Sequence, residues 1–291
     1  PPKPSIAVAE QDIGAAHTQH NLLTRPFASL AIHVPINGQQ PPAVQAESAF
    51  LFDPGRNSVF YEKQSNEERS IASLTKVMTL LLASESGNLD QPVTIGRDAA
   101  ALVNSNNSYM GVSAGEQFTL RDLLYGLMVA SGNDAAVAIA DALDGSVPAF
   151  VADMNRRAAQ LGLSRTSFVS PDGLDDGNRS SAHDLAVLTA IVLGRPEIEQ
   201  ITSTQQYTIP PSGTHRGYNL VGSNDLLPGG RAPYPGANGV KTGYTLSALY
   251  CLAFSASRDG HLLVGVLLGE PSAGARLTDA RALLDWGFAQ E

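Results

Sequence analysis

The spacing of hydrophobic residues changes along the chain, and it predicts strands near both ends and helices between them. Alternating hydrophobic and polar residues are typical of strands, and turn-rich segments bound them here at 53–57 and at Asp259-Gly260. The strand-like segments are 49–52, 58–61, 240–243, 247–257 and 261–268. Both ends of the chain are therefore predicted to contribute to one antiparallel sheet.

Helical spacing of hydrophobic residues dominates the middle of the chain and returns near its end. Several of these segments open on Ser or Thr, which are preferred at helix starts, and the first closes near Gly87. The segments are 73–87, 120–130, 133–143, 149–161, 182–193 and 275–288. This order predicts an α+β fold: an antiparallel sheet from both termini flanked by helices, with an inserted, mostly helical subdomain. We expect the active site in the cleft between the two parts.

Residues 1–45 show neither pattern and contain several prolines, three of them within the first four positions. We expect an extended lead-in or linker over residues 1–45, with one short strand around 30–34. A single catalytic domain is then predicted over residues 46–291. Because the chain begins at Pro1 rather than Met, we also expect that a signal peptide or a membrane anchor lies outside this sequence.

Composition narrows the classes of function. Hydrophobic residues make up 43% of the 291 residues and charged residues 16%, which is typical of a globular protein. Nineteen Lys and Arg against 28 Asp and Glu give a net charge of −9, which argues against a nucleic-acid partner because phosphate binding requires clustered cations. The six histidines lack metal-ligand spacing, so we predict no metal and no cofactor, and Cys251 lies in an apolar pattern that predicts a core position. No apolar run approaches the roughly 18 residues of a membrane-spanning helix.

The candidate chemistry begins with Ser73 and Lys76, at the start of the first helical segment. Residues three apart lie on the same face of a helix, so these two side chains can meet. A serine hydroxyl is a weak nucleophile until a base takes its proton, and a lysine can be that base when burial or a nearby positive charge keeps part of it neutral. The free N–H groups of a helix start also favour a developing oxyanion.

Two further motifs strengthen this interpretation. Ser131-Gly132-Asn133 follows an apolar segment, and Lys241-Thr242-Gly243 lies inside a predicted strand. Taken alone, the serine and asparagine of the first motif would be ordinary helix caps, and the lysine of the second an edge-strand residue that limits aggregation. The order and wide spacing of all three motifs instead predict that they converge on one acyl-transfer site.

With these motifs the chain resembles the D-alanyl-D-alanine carboxypeptidases, the low-molecular-weight penicillin-binding proteins of the serine peptidase type. The resemblance covers about residues 46–289 and also rests on segments 166–168, 171–174 and 284–288. It implies a β-lactamase/transpeptidase-like fold and removal of the terminal D-alanine from peptidoglycan stem pentapeptides through an acyl-enzyme. It further implies covalent capture by β-lactam antibiotics and an extracytoplasmic location, on the cell-wall side of the membrane.

The resemblance also implies catalytic roles for individual residues. Ser73 would be the nucleophile that attacks the carbonyl between two D-alanines, and Lys76 would take its proton. Ser131 would relay a proton to the leaving amine, and Asn133 would hold the substrate amide.

The same resemblance implies how the substrate is bound. Lys241 and Thr242 would bind the terminal carboxylate, and Lys241 would add a positive field that lowers the pKa of the catalytic base. Gly243 and Thr245 would line the site. The oxyanion hole would consist of the backbone N–H groups of the nucleophilic serine and of Tyr244.

Three alternatives remain open at this stage. A class A-like β-lactamase shares the three motifs, but it needs a glutamate in a stretch reading roughly E-x-x-L-N, and residues 171–174 read Pro-Asp-Gly-Leu instead. A D,D-endopeptidase acting on cross-links would use the same residues. A catalytically silent cell-wall-binding module would not need the reactive side chains, all of which are present.

Overall fold

The computed structural model describes residues 31–32, 40–103 and 107–290. Most of the predicted lead-in therefore lies outside the described residues. The strands are β1 (Ala31–Ile32), β2 (Ser48–Asp53), β3 (Ser58–Lys63), β4 (Arg69–Ser70), β5 (Pro92–Thr94), β6 (Gln117–Thr119), β7 (Arg179–Ser180), β8 (Gln206–Ile209), β9 (Tyr218–Val221), β10 (Ala237–Thr245), β11 (Leu249–Arg258) and β12 (His261–Glu270). The helices are α1 (Lys76–Glu85), α2 (Arg97–Ala101), α3 (Leu120–Met128), α4 (Asn133–Asp144), α5 (Val147–Gln160), α6 (Ala182–Leu193), α7 (Pro196–Thr202) and α8 (Ala273–Ala289).

The main sheet has six strands in the order β1-β3-β2-β12-β11-β10. Neighbouring strands are antiparallel except β1, which pairs with β3 in parallel, so the sheet is mixed at that edge. Strands from the two ends of the chain meet at the β2–β12 pair, which confirms the predicted α+β architecture. β10 is the outermost strand at the opposite edge, so one of its sides is available within the described residues.

Both faces of the sheet are covered, and β2 shows this most clearly. Phe50 and Phe52 belong to the large core cluster between the sheet and the inserted helices. Ala49 and Leu51, which point the other way because side chains alternate along a strand, belong to a second cluster with residues of α8. A strand buried on both faces is hydrophobic at nearly every position, as β2 is.

Helix α1 is the centre of the inserted helical part. It contacts α3, α4 and α6, and its residues are buried on every side, including Val77, Leu80 and Leu81. Such a helix is hydrophobic all round and is held by packing rather than by an amphipathic face. Its start is therefore rigidly placed, and that start carries the first candidate motif.

The predicted elements are present with shifted ends. The first predicted helix begins as a 3₁₀ turn at Ala72–Thr75 and becomes α-helical only at Lys76. The short helices α2 and α7 and the small β5–β6 pair were not predicted, because elements of three to seven residues carry little periodic signal. Among the described residues no single helix is long and apolar enough to cross a membrane; α4 and α5 together meet the length and composition test, but an 85° bend separates them.

Candidate active site

The three motifs meet at one cavity of about 340 Å³ at the edge of β10. This volume is in the range of small-molecule pockets. Most of the predicted site residues line it, namely Ser73, Ser131, Asn133, Thr242, Gly243, Tyr244 and Thr245. Lys76 and Lys241 lie beneath this lining, fully or almost fully buried, and each bonds to a serine that faces the cavity.

Lys76 makes three polar contacts at the site. Its Nζ atom lies 3.2 Å from Ser73 Oγ and 2.7 Å from Asn133 Oδ1, and it also donates to the backbone oxygen of Asp172. Three acceptors satisfy the three protons of an ammonium group. If one proton leaves, the remaining two N–H groups can keep the amide and carbonyl contacts, and the lone pair then faces the serine.

The chain before Ser73 adopts an unusual conformation. Ala72 has φ = +48°, in the left-handed region that residues with a side chain rarely adopt, and neither the 3₁₀ turn nor α1 has a side-chain N-cap. A left-handed alanine costs on the order of 1–3 kcal/mol and persists only where its surroundings impose it. Here the hydroxyl of Ser73 is left for Lys76 and the cavity instead of capping its own helix.

The second motif repeats this arrangement at the start of α4. Ser131 has φ = +56°, and its hydroxyl accepts a hydrogen bond from Lys241 Nζ at 2.9 Å. Gly132 is the N-cap position and offers no side chain. The buried carboxylate of Asp134 accepts from the backbone N–H groups of Met110, Gly111 and Val112, which fixes the preceding loop against α4.

Burial changes the acidity of both lysines. It lowers the pKa of Lys76 from 10.5 to about 8, although Asp172 and Asp134 oppose this change. It also lowers the pKa of Lys241 well below the usual range, and the positive charges of Lys76 and Arg276 contribute to this. The charge of Lys76 therefore disfavours that of Lys241, whereas Lys241 does not contribute to the lowered pKa of Lys76, although the resemblance implied that it would. An arriving anion would favour the protonated form of both amines.

The loop of residues 170–178 closes one side of the cavity and requires a glycine. Gly173 has φ = +81°, and a Cβ atom there would lie 1.9 Å from the backbone oxygen of Ala72. The side chain of Asp172 accepts from Ser170 Oγ and from Leu174 N, while its backbone oxygen accepts from Lys76.

β10 packs directly on the turn that carries the nucleophile candidate. A Cβ atom at Gly243 would approach Leu74 to 3.0 Å and the backbone oxygen of Ile71 to 3.2 Å. The strand can therefore lie this close to the 3₁₀ turn because position 243 has no side chain. The backbone of Tyr244 follows immediately, and Thr245 is tied to the loop of residues 170–178 through Asp176 Oδ1 at 2.7 Å.

Several residues at the cavity were not predicted from the sequence. Arg276 of α8 is 6% exposed, lines the cavity and donates to the backbone oxygen of Cys251, while its buried Nε atom has no partner within the described residues. Ser223 lies 2.6 Å from Thr242 Oγ1. A charged residue inside the apolar stripe of the last helix was the available signal for Arg276; Ser223 lies in a turn-rich segment without such a signal.

The remaining polar candidates lie elsewhere. His215 stacks on Phe118 and does not line the cavity, and Cys251 is buried in β11. Over residues 40–103 and 107–290, no group of three or more His, Cys, Asp or Glu side chains could hold a metal ion. The cavity therefore offers hydroxyls, amines and a guanidinium, a set suited to acyl transfer on a carboxylate-bearing ligand.

Comparison with protein families gives a match to the model described as D-alanyl-D-alanine carboxypeptidase, over residues 36–272. A D-alanyl-D-alanine carboxypeptidase of Streptomyces sp. (strain K15) is 35% identical over 88% of this chain and 91% of the relative. The carboxypeptidase DacF of Bacillus subtilis (strain 168) is 36% identical over 85% of this chain. The chain spans only 63% of that relative's length.

Solved structures give the same result for the fold. The crystal structure of the Streptomyces K15 DD-transpeptidase matches with a TM-score of 0.80 and 34% identity, over 86% of this chain and 100% of that one. A D-alanyl-D-alanine carboxypeptidase from Mycobacterium tuberculosis H37Rv matches with a TM-score of 0.80 and 31% identity, over 89% and 97%. These likenesses agree with the predicted fold class.

Proposed function

This chain belongs to the D-alanyl-D-alanine carboxypeptidase family of serine peptidases, and we propose that it removes the terminal D-alanine from peptidoglycan stem pentapeptides through an acyl-enzyme on Ser73. The observation that carries the proposal is the contact of Ser73 Oγ with Lys76 Nζ at 3.2 Å, in a cavity that also holds the other two motifs. β-Lactams, which present a reactive amide and a carboxylate, would acylate the same serine.

Lys76 is the general base of this proposal. With a pKa of about 8, roughly one molecule in ten carries the neutral amine at neutral pH. In that form the two remaining N–H groups donate to Asn133 Oδ1 and to the backbone oxygen of Asp172, and the lone pair is directed at the serine hydroxyl. The proton of Ser73 moves to Lys76 as the serine oxygen attacks the carbonyl carbon.

Ser131 would donate a proton to the leaving group. Its oxygen accepts from Lys241, so its own proton is free to point into the cavity and to reach the amine nitrogen that departs. Asn133 uses its amide oxygen for Lys76, which leaves its Nδ2 group to hold a carbonyl of the substrate. The backbone N–H groups of Ser73 and Tyr244 lie on segments that pack directly together and would stabilise the oxyanion.

The terminal carboxylate of the substrate would bind between Lys241, Thr242 and Arg276. Burial and neighbouring cations lower the pKa of Lys241, and a bound carboxylate would oppose this change by favouring the protonated amine. Arg276 adds a second cation at the cavity wall. These three groups distinguish a free C-terminal carboxylate from an internal peptide bond.

Residues 46–291 would form the catalytic domain and residues 1–45 the lead-in to it. The backbone N–H groups of Gln45 and Ala46 both donate to Asp279 of α8 at the proposed boundary, and β1 of the lead-in pairs with β3, so the lead-in also contacts the domain. We place the activity on the extracytoplasmic side of the membrane, where peptidoglycan lies.

The experiment is release of D-alanine from a synthetic stem pentapeptide that ends in D-Ala-D-Ala. We expect release by the wild-type protein, none above background for Ser73→Ala, and undiminished release for Ser146→Ala, which removes a serine at a different helix start. Release that survives in Ser73→Ala would overturn the assignment of the nucleophile.

Product analysis in the same assay separates the related activities. Acyl transfer to an added amine acceptor is the second candidate, because the solved Streptomyces K15 structure, which covers 86% of this chain, is that of a DD-transpeptidase. No glutamate or aspartate side chain is among the described residues that line the cavity, which favours a long-lived penicilloyl-enzyme over rapid β-lactam hydrolysis. Rapid catalytic turnover of penicillin would favour a β-lactamase, and cleavage of cross-linked dimers an endopeptidase.

A further inference from the structure

The side chain of Tyr244 has no role in the mechanism above, yet it forms part of the cavity wall. It is 50% exposed, near the end of the edge strand β10. Its ring packs on that of Tyr250, its cross-strand partner on β11, with ring centroids 4.5 Å apart. Tyr250 lines the same cavity, so the two rings form one supported aromatic surface.

A second exposed apolar side chain lines the cavity from another segment. Leu174, in the loop of residues 170–178, is 42% exposed. Asp176 ties this loop to the end of β10 by accepting from Thr245 Oγ1 at 2.7 Å and from Ser247 Oγ at 2.6 Å. Because these bonds join the two segments, Leu174 and Tyr244 are held at fixed positions around one opening.

The order of residues along β10 places the backbone of Tyr244 beyond Lys241 and Thr242. The ring of Tyr250 also lies 5.8 Å from the guanidinium group of Arg276. Lys241 and Thr242 mark the end of the cavity that takes the carboxylate of the leaving D-alanine. Tyr244 lies two to three residues further along the strand, roughly 7–10 Å away at about 3.3 Å per residue. If the scissile carbonyl lies at the N–H group of Tyr244, the acyl part of the substrate extends away from Lys241 and past the Tyr244 ring.

Single exposed hydrophobic residues are normal on protein surfaces, so exposure alone would mean little. The contrast with Leu246 is more informative. Leu246 is 85% exposed and only two residues from Tyr244, but it does not line the cavity. Tyr244 and Leu174 are thus both exposed and among the residues that line the cavity, and Leu246 provides a matched control.

We propose that Tyr244, supported by Tyr250 and together with Leu174, forms an apolar subsite that selects ligands with an aromatic or aliphatic group on the acyl side of the scissile bond. This inference rests on the proposed function and adds a specificity determinant to it. Contact of an aromatic ligand group with the Tyr244 ring stabilises the complex that leads to acylation. A ligand without such a group would keep the reactive carbonyl and the carboxylate but lose this contact.

Two penicillins test the subsite. Benzylpenicillin carries a phenylacetyl group on the acyl side, and 6-aminopenicillanic acid has the same bicyclic ring system without it. The second-order rate constant of acylation is measured for both with the wild type, Tyr244→Phe, Tyr244→Ala, Leu174→Ala and Leu246→Ala. The quantity of interest is the ratio of the two rate constants within each variant, since loss of folded protein lowers both constants equally.

We expect the wild type to prefer benzylpenicillin and Tyr244→Ala to reduce this preference about tenfold, the size of an aromatic contact. Tyr244→Phe keeps the ring and should keep the ratio within about twofold. Leu174→Ala should reduce the ratio by a smaller factor, and Leu246→Ala should leave it unchanged. Should Tyr244→Ala fail to fold, Leu174→Ala and a Tyr244→Leu variant provide the same comparison.

The outcomes separate this inference from the proposed function. Acylation of every variant with an unchanged ratio would overturn the subsite and leave the proposed function in place. An equal loss for both penicillins in folded Tyr244→Ala would also overturn it, because that result would assign the effect to the backbone of residue 244. A wild type that neither penicillin acylates would overturn the proposed function and the subsite with it.

Discussion

Six of the eight described helix starts use serine and threonine in two different ways; the short helices α2 and α7 have no side-chain cap and belong to neither group. Four helices have an N-cap hydroxyl that accepts a hydrogen bond from the backbone N–H three residues later. These caps are Thr119, Ser146, Ser181 and Ser272. At the starts of α1 and α4 there is no such cap, and the nearby hydroxyls of Ser73 and Ser131 contact buried lysines instead.

The difference shows how the site gives up local stability for reactivity. An N-cap contributes about 1 kcal/mol, and each of the two uncapped starts forgoes it. Both also contain a residue in the left-handed region, Ala72 and Ser131, which adds a cost. The surrounding core holds these strained turns in place, and the hydroxyls remain available to the cavity.

The sharpest way to test this contrast is to remove the base. Lys76→Met should slow acylation by roughly a thousandfold, because it deletes the group that takes the serine proton. Because burying an ammonium group costs folding free energy, its removal should lower the melting temperature much less than it lowers the rate of acylation. Lys63→Met is the matched control: Lys63 bonds to Val44 O, away from the cavity, and acylation should persist. Unchanged acylation in folded Lys76→Met would mean that another group is the base.

Two serine substitutions compare the groups directly. Ser131→Ala and Ser181→Ala each delete one buried hydroxyl near a helix start. We expect Ser131→Ala to lower D-alanine release by about a hundredfold with a small change in stability. Ser181→Ala should lower the free energy of unfolding by about 1 kcal/mol and leave release intact. Reversed effects, measured by release assays and urea unfolding, would contradict the division into two groups.

The pH dependence gives a smaller, graded effect. The neutral amine of Lys76 is the active form, so acylation should rise about tenfold per pH unit toward a pKa of about 8 and level off above it. Stability changes in a different window. The folded-state pKa of Lys76 lies below its ordinary 10.5, so the unfolded chain binds the extra proton and stability rises with pH from about 8 to about 10.5. An acylation rate that is flat between about pH 6 and pH 8 would argue against Lys76 as the base.

The sequence was sufficient for the elements and motifs but not for the long-range contacts. Alternation and helical spacing located β2, β3, β11, β12 and most helices, because burial on defined faces imposes those periods. The bond from Lys241 to Ser131 joins residues 110 positions apart, and only the order of strands in the sheet creates it. Arg276 was not predicted for the same reason: a charge in the apolar stripe of α8 marks it as unusual, but only the packing of α8 on the sheet brings it to the cavity.

The central claim is that the Ser73 hydroxyl, activated by Lys76, is the nucleophile of this cavity. The most direct measurement is mass spectrometry of the intact protein after exposure to benzylpenicillin, followed by peptide mapping. We predict a mass increase of one penicillin per chain, located at Ser73 and absent in Ser73→Ala. A label on a different residue, or an unlabelled wild-type protein, would contradict the account.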